Sequence, residues 1–218
     1  MRILPIAVEI TERIVKEIDG RAADGGLSLP FLGSMIAAAG DGDHIDIGSL
    51  YGASAIMAAL IKKELGFKGD VYCIDPYDKE KREAVVQGSP VMAGEVAATA
   101  EELMKNAEKF GVSLKLIKKA SHPWPAELER SSFASAYIDG DHLSDGPWND
   151  FLNLRGRVTG YIGCDNYEEE YPDVVSAMHK AMDTDDWFLW YKNLVFVALR
   201  RVLPPRSIRD VTSTMESR

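Results

Sequence analysis

The sequence predicts an α/β fold, a largely parallel sheet covered by helices on both faces. Short, continuously apolar runs such as "DVYCID", "SAYID" and "TGYIGCD" alternate with longer segments of helical periodicity. Strands buried on both faces read as unbroken hydrophobic runs, because parallel crossovers lay helices over each face. The chain then closes with "WFLWYKN" and "LVFVALRR", two aromatic or β-branched runs around a short polar Lys192-Asn193 turn. That pattern predicts a terminal hairpin, and with it one antiparallel strand added to the sheet.

Each element follows from local chemistry. From Ala7 to Ile18 the apolar residues Val8, Ile10, Ile14, Val15 and Ile18 fall near helical spacing with charges between them, an amphipathic opening helix. A glycine-rich joint, "DGGLSLP", leads to the small-residue helix "FLGSMIAAAG", and "DGDHIDIG" gives a turn and a short strand. In "ASAIMAALIKKELG" the residues Ile56, Met57, Leu60, Ile61 and Leu65 make one apolar face, and Gly66 stops the helix. The alternation continues through strand "DVYCID", a helix near Glu95 to Phe110, strands "LKLIKK" and "SAYID", a helix near Pro147 to Leu154 and strand "TGYIGCD". Pro172 sits where a further helix starts, with Val174, Val175, Ala177, Met178 and Met182 along one side. Glu168, Glu169 and Glu170 are expected to favour its N-terminus through the helix dipole.

The organisation expected is one domain over residues 1–203, beginning with a helical segment over about 1–40, and a polar, aperiodic, mobile tail over 204–218. The stretch from Tyr77 to Gly94 is long for a connection in a compact domain. It is a lid or substrate loop, or else a solvated loop with a short helix of its own. No internal repeat or low-complexity tract interrupts the chain.

Bulk composition narrows the function. The 218 residues are 46% hydrophobic and 27% charged, ordinary for a globular domain, and the formal net charge is −9. Binding to nucleic acid or anionic lipid rests on clustered Lys and Arg, so neither partner is expected. Cys73 and Cys164 both fall in strands and read as free core thiols of a reducing compartment rather than a disulfide pair. The N-terminus lacks a signal-peptide apolar core, and no stretch reaches about 18 uninterrupted apolar residues. A cytoplasmic protein is the expectation; nothing fixes its oligomeric state, and a homo-oligomer stays open.

The first motif is "HIDIGSLYGAS": a strand ending at Asp46, Gly48 two residues on, Gly52 four further, and a helix from about Ala53. In open α/β sheets ligands sit at the carboxyl ends of strands, where glycine lets the backbone turn and approach closely. The spacing differs from the Gly-x-Gly-x-x-Gly of dinucleotide sites and favours S-adenosylmethionine over a pyrophosphate cofactor. A plain strand-to-helix turn would also use these glycines. The second strand discriminates: "YCIDPYD" places Asp75 at its carboxyl edge, roughly twenty residues after the loop, where a carboxylate accepts from both ribose hydroxyls.

With "DIGSLYGAS", "IDPYD", "YIDGDH" and "GYIGCDNY" in this order, the chain from about Gly42 to Leu199 resembles the class I S-adenosylmethionine-dependent methyltransferases. The likeness is to the small families related to catechol and macrolide-sugar O-methyltransferases. The resemblance implies a Rossmann-like three-layer sandwich whose sheet has seven strands, the last antiparallel. It also implies that Asp46, Gly48, Ser49 and Gly52 surround the methionine part of the cofactor, that Asp75 holds the ribose, and that Ser121 lies near the adenine. His122 and Trp124 follow Ser121 in "SHPWP", which reads first as a rigid turn.

Asp139 ends the fourth strand and Asp165-Asn166 the fifth, so neighbouring parallel strands would bring them to one edge. Three oxygen ligands, two anionic, suit a hard divalent cation such as magnesium. In catechol-type enzymes the ligands are an aspartate after strand four and an Asp-Asn pair after strand five, the pattern of Asp139, Asp165 and Asn166. A hydroxyl attacks the sulfonium methyl well as its oxyanion, and a metal both acidifies and positions it. His142 stands where those enzymes carry a lysine base, and a neutral imidazole is available near pH 7. This departure points to sugars and other alcohols as much as to catechols. The plainer account keeps His142 as a surface or capping residue and "DGD" as ordinary turn chemistry, with Asp141 capping the loop. Tyr167 and Tyr171 read as packing residues beside the site, and His44 and His179 have no partner visible in sequence. The expected activity is methyl transfer to a hydroxyl of a small molecule. A nucleotide-dependent oxidoreductase, or a non-catalytic protein keeping the cofactor pocket, are the alternatives.

Overall fold

The computed structural model describes residues 2–78 and 98–202. Seven strands, β1 His44–Ile47, β2 Val71–Ile74, β3 Lys115–Ile117, β4 Phe133–Ile138, β5 Val158–Cys164, β6 Trp187–Lys192 and β7 Val197–Arg201, form one sheet in the order β3-β2-β1-β4-β5-β7-β6. The β1–β2, β1–β4, β2–β3 and β4–β5 pairs are parallel. Strand β7 runs antiparallel to both β5 and β6, so the antiparallel strand expected from the hairpin lies inside the sheet and β6 takes the edge. The turn is also longer than the Lys192-Asn193 of the sequence reading. The Asn193 side chain accepts from the backbone N–H groups of Val195 and Phe196, and this cap holds residues 193–196 out of the ladder.

Among the described residues six helices cover the sheet: α1 Pro5–Glu17, α2 Leu29–Ala39, α3 Ala53–Leu65, α4 Ala100–Phe110, α5 Gly146–Arg155 and α6 Pro172–Met182. Helices α1 to α4 pack on one face, through Ile14, Leu32, Met35, Ile56, Met57, Ile61 and Leu103 against Cys73, Tyr137 and Phe196. Helices α5 and α6 pack on the other, through Phe151, Leu154, Val174 and Met178 against Ile45, Ile138, Ile162 and Leu199. In β4, Tyr137 faces the first core and Ala136 and Ile138 the second, as strand geometry requires. In β1, Ile45 and Ile47 serve the second core and the alternate positions are the buried polar His44 and Asp46. Thr99 and Glu102 form a reciprocal capping box at the start of α4, and Gly66 and Gly111 end α3 and α4 in the left-handed region. Helix α6 begins at Pro172 with Asp173 as its first-turn acid, so Glu168, Glu169 and Glu170 lie ahead of the helix and not in it. Proline takes the first helical position readily, having no N–H to leave unsatisfied there.

Both cysteines are buried free thiols. Burial and nearby carboxylates push each thiol well above its usual range, which suits core residues and not nucleophiles. Among the described residues no helix is long and apolar enough to cross a membrane. The connection read as either a lid or substrate loop or a solvated loop lies, beyond Asp78, outside the described residues, as does the tail after Val202.

The chain progression reverses between β1 and β4. At such a switch point the loops leaving the two strands diverge and open a crevice at their carboxyl ends. Gly48, Ser49 and Gly52 follow β1 and Asp139 and His142 follow β4, while Asp75 and Asp165-Asn166 leave the neighbouring β2 and β5.

Candidate active site

The loop after β1 is pressed onto the start of the loop after β4. Gly48 has φ +87°, and a Cβ there would stand 1.9 Å from the Asp139 carbonyl oxygen, so no side chain fits. Leu50 is also left-handed, at φ 48°, and Gly52, at φ 95°, leads into α3. Asp46 lies wholly beneath this loop. Its Oδ2 accepts from Ser54 Oγ at 3.0 Å, and Ser49 Oγ donates to its main-chain carbonyl at 3.3 Å. Burial raises the Asp46 carboxyl to about 6, with Asp75 adding and the Ser49 and Ser54 hydroxyls opposing. Ser54, which the sequence reading passed over as a helix residue, therefore links α3 to the strand end.

Asp75 joins the first loop to the second. Its Oδ2 accepts from Leu50 N at 3.0 Å and its Oδ1 from Tyr77 N at 2.9 Å. Tyr77, itself left-handed at φ 50°, returns a bond from its hydroxyl to the Leu50 carbonyl at 2.6 Å. Both Asp75 oxygens thus accept from the backbone of the two loops they join. Tyr77 is a second residue that sequence reasoning left as loop; its only sequence signal was its place two residues after Asp75.

At the ends of β4 and β5 the register pairs Ile138 with Cys164. Asp139 N donates to Ile47 O at 2.9 Å and Asp165 N to Ile138 O at 3.0 Å, so Asp139 and Asp165 leave adjacent strands side by side. Asp165 is fully buried and Asn166 nearly so, with Asn166 left-handed at φ 53°. Below them the Tyr137 hydroxyl donates to Ser28 Oγ at 3.2 Å. Burial, with the Asp165 and Asp139 charges adding, holds its phenol well above the usual range. The Asp139 Oδ1 pairs with His142 Nε2 at 3.2 Å, and the His142 ring meets Tyr171 edge-on at 5.2 Å. Two carboxylates and a carboxamide on adjacent strand ends match in donor type what a hard cation takes. No group of three His, Cys, Asp or Glu side chains arranged for a metal occurs among the described residues.

The remaining candidates sort by their neighbours. Asp141 Oδ1 accepts from Leu143 N at 3.0 Å, the capping role expected of it. The main-chain carbonyl of Ser121 accepts from Asn153 Nδ2 at 3.1 Å. His122 is exposed, the His122-Pro123 peptide is cis, and Arg157 lies over Trp124 at 5.0 Å, in keeping with a turn at "SHPWP". Tyr167 meets His179 Nε2 at 2.8 Å and His44 Nδ1 meets Ser135 Oγ at 2.8 Å, partners that the sequence could not reveal for either histidine.

Comparison with known proteins matches this architecture. Three solved structures share the fold: the O-methyltransferase NovP, at TM-score 0.63 and 17% identity over 79% of this chain and 78% of that one; an O-methyltransferase from Bacillus cereus in complex with SAH, at 0.61 and 13% over 91% and 92%; and CalS11, a calicheamicin methyltransferase, at 0.57 and 16% over 92% and 94%. A search of curated protein sequences finds no match. The methyltransferase domain family matches residues 45–167, from β1 to just past Asn166. With the family match spanning more than half of the sequence and both cofactor-side loops tied together through Asp75, the chain belongs to the methyltransferase domain family and is a class I S-adenosylmethionine-dependent methyltransferase.

Proposed function

We propose that the protein transfers the methyl group of S-adenosylmethionine to a hydroxyl of a small molecule, with a divalent cation held by Asp139, Asp165 and Asn166. The observation that carries this reading is the meeting of the Asp139–His142 pair with Asp165-Asn166 on adjacent strand ends, across the switch point from the glycine loop. Gly48, Ser49 and Gly52, supported from beneath by Asp46, form the cradle for the methionine part, while Asp75 accepts from the ribose and Ser121 borders the base. The acceptor oxygen attacks the methyl carbon in line with the breaking carbon–sulfur bond, whose electron pair stays on sulfur and leaves S-adenosylhomocysteine. The hydroxyl proton passes to His142, which Asp139 orients through Nε2. A divalent cation, when bound there, supplies acidification and positioning of the hydroxyl.

The Asp139–His142 contact also favours a second reading, in which the pair alone removes the proton and no metal takes part. Manganese titration by electron paramagnetic resonance, on protein saturated with S-adenosylhomocysteine, separates the two. One bound ion, lost in Asp165→Ala while calorimetry gives cofactor affinity within about threefold of the parent, is the expected result. No bound manganese at millimolar concentration overturns the metal-assisted reading in favour of the second.

A further inference from the structure

Asp150, in the middle of α5, is 1% exposed, and its Oδ2 has no hydrogen-bond partner among the described residues. Helix α5 is anchored to the core by Phe151 and Leu154, so packing alone gives no reason for an acid at this position. A buried polar group of this kind calls for an explanation, and its surroundings supply one. Burial raises the Asp150 carboxyl to about 7, with the Ser121 hydroxyl opposing. The Oδ2 atom passes beneath the turn after β4, 3.3 Å from where a Cβ on Gly140 would stand. One helical turn later, on the same face, Asn153 Nδ2 donates to the Ser121 carbonyl at 3.1 Å.

The two turns gripped in this way flank the cofactor crevice. Ser121 follows β3, the strand paired with β2, and Asp75 N donates to Ile117 O at 3.2 Å. The Ser121 turn therefore leaves the sheet beside the ribose acid. On the opposite side, the Gly140 Cα lies 2.8 Å from the position of a Cβ on Gly48, so the Gly140 turn backs onto the glycine loop. A nucleoside whose ribose is held at Asp75 extends its base toward the space these turns enclose.

We infer that Asp150 and Asn153 are positioning residues for the nucleoside end of the cofactor, clasping the Ser121 turn to the Gly140 turn from beneath. The inference rests on the placement of S-adenosylmethionine at this edge. Neither side chain needs to touch the cofactor. Their effect is to hold two turns, contributed by separate strands, at the spacing a purine base requires.

Calorimetry with S-adenosylhomocysteine and thermal melting, on the full chain and on Asp150→Leu, Asp150→Asn and Asn153→Ala, tests it. Leucine keeps the approximate shape while removing the buried acid, so Asp150→Leu should melt at or above the parent temperature yet bind at least tenfold more weakly. Asp150→Asn keeps a polar side chain of the same shape beneath the Gly140 turn and should bind within threefold of the parent. Asn153→Ala, at a half-buried position, should bind about three- to fivefold more weakly with an unchanged melting temperature, and it decides the matter if Asp150→Leu does not fold. Parent-like affinity in both Asp150→Leu and Asn153→Ala overturns the clasp while leaving the cofactor reading intact. A parent protein that itself fails to bind S-adenosylhomocysteine overturns both.

Discussion

At the amino edge of the sheet, polar groups are paired with one another. The buried Lys62 ammonium donates to the carbonyls of Gly42 and Lys68 at 2.6 and 2.9 Å, Lys68 N to Asp41 Oδ1 and Asp70 N to Asp43 Oδ1 at 2.8 Å each. At the carboxyl edge, by contrast, the buried acids Asp46 and Asp150 each keep an oxygen with no partner among the described residues. The four non-glycine residues with positive φ among those described, Leu50, Tyr77, Ser144 and Asn166, all follow the carboxyl ends of strands, those of β1, β2, β4 and β5. Left-handed backbone on such residues costs on the order of 1 kcal/mol or more each and persists where surrounding structure enforces it. One edge pairs its polar groups for stability, and the other, where we propose that the cofactor binds, keeps unfavourable groups in place. His44 is the exception at the amino edge, where Nε2 lacks a partner among the described residues.

The comparison is most severely tested at Gly48. A methyl group there meets Asp139 main chain at 1.9 Å, so Gly48→Ala should lose roughly 3 kcal/mol or more of stability and also lose S-adenosylhomocysteine binding. Chemical denaturation and calorimetry read the two losses, and a well-folded variant with parent affinity would show that the loops do not need this contact.

Lys62→Met should separate the edges. Removing a buried donor to two carbonyls is expected to cost about 2–3 kcal/mol while cofactor affinity stays within twofold. A comparable loss of affinity would break the distinction between the edges.

The pH dependence of stability sharpens it, since the two edges carry opposite signs. Asp150 has a folded value of about 7 against 3.8 for the ordinary carboxyl. The folded state holds a proton that the unfolded chain releases, so its contribution is complete below about pH 4 and is lost as pH rises through 7. His44, pushed by burial to about 3 from 6.5, behaves oppositely: its contribution is present above pH 6.5 and lost as pH falls toward 3. The contribution of Asp46, raised to about 6, declines in the same direction as that of Asp150, and His44 opposes both below about pH 6.5. In urea melts from pH 4 to 8, Asp150→Asn should therefore remove the decline between about pH 6 and 7 and make the slope below it less negative, while His44→Gln should make that lower slope more negative. Each amplitude is of order 4 kcal/mol at most. The same slope in the parent and in Asp150→Asn would remove Asp150 as its source.

The smallest effect is expected away from both edges. Lys109 and Asp19 pair at 2.8 Å with Asp19 largely exposed, and Asp19→Ala should change stability by less than about 0.5 kcal/mol with no effect on affinity. A larger shift would mean that surface charge contributes comparably to the buried edges.

Much of the fold was legible because it rests on local pattern. Continuous apolar runs marked β2, β4 and β5, and periodicity with Gly66 marked α3. Gly48, Gly52 and Asp75 were legible as residues of the turns at the carboxyl ends of β1 and β2 for the same reason, since strand ends and turns carry their chemistry in a few adjacent residues. Where local signals compete, the reading slipped. The start of α6 at Pro172 was legible, with the three glutamates ahead of it and not in its first turn, but the Asn193 cap displaced the turn that Lys192-Asn193 suggested.

The sequence by itself determined the order of elements, the residues at the carboxyl ends of the strands and the class of cofactor. Tertiary structure alone decided that β7 enters between β5 and β6, that Tyr77 closes over Leu50, that Asp139 engages His142, that Asn153 reaches Ser121 and that Asp150 lies beneath the Gly140 turn. Backbone preference and hydrophobic period act over a few residues, whereas these contacts join groups whose proximity depends on strand order and on which helix face meets which turn. A buried aspartate such as Asp150 reads as an ordinary polar residue of a surface helix until the sheet places it beneath two loops.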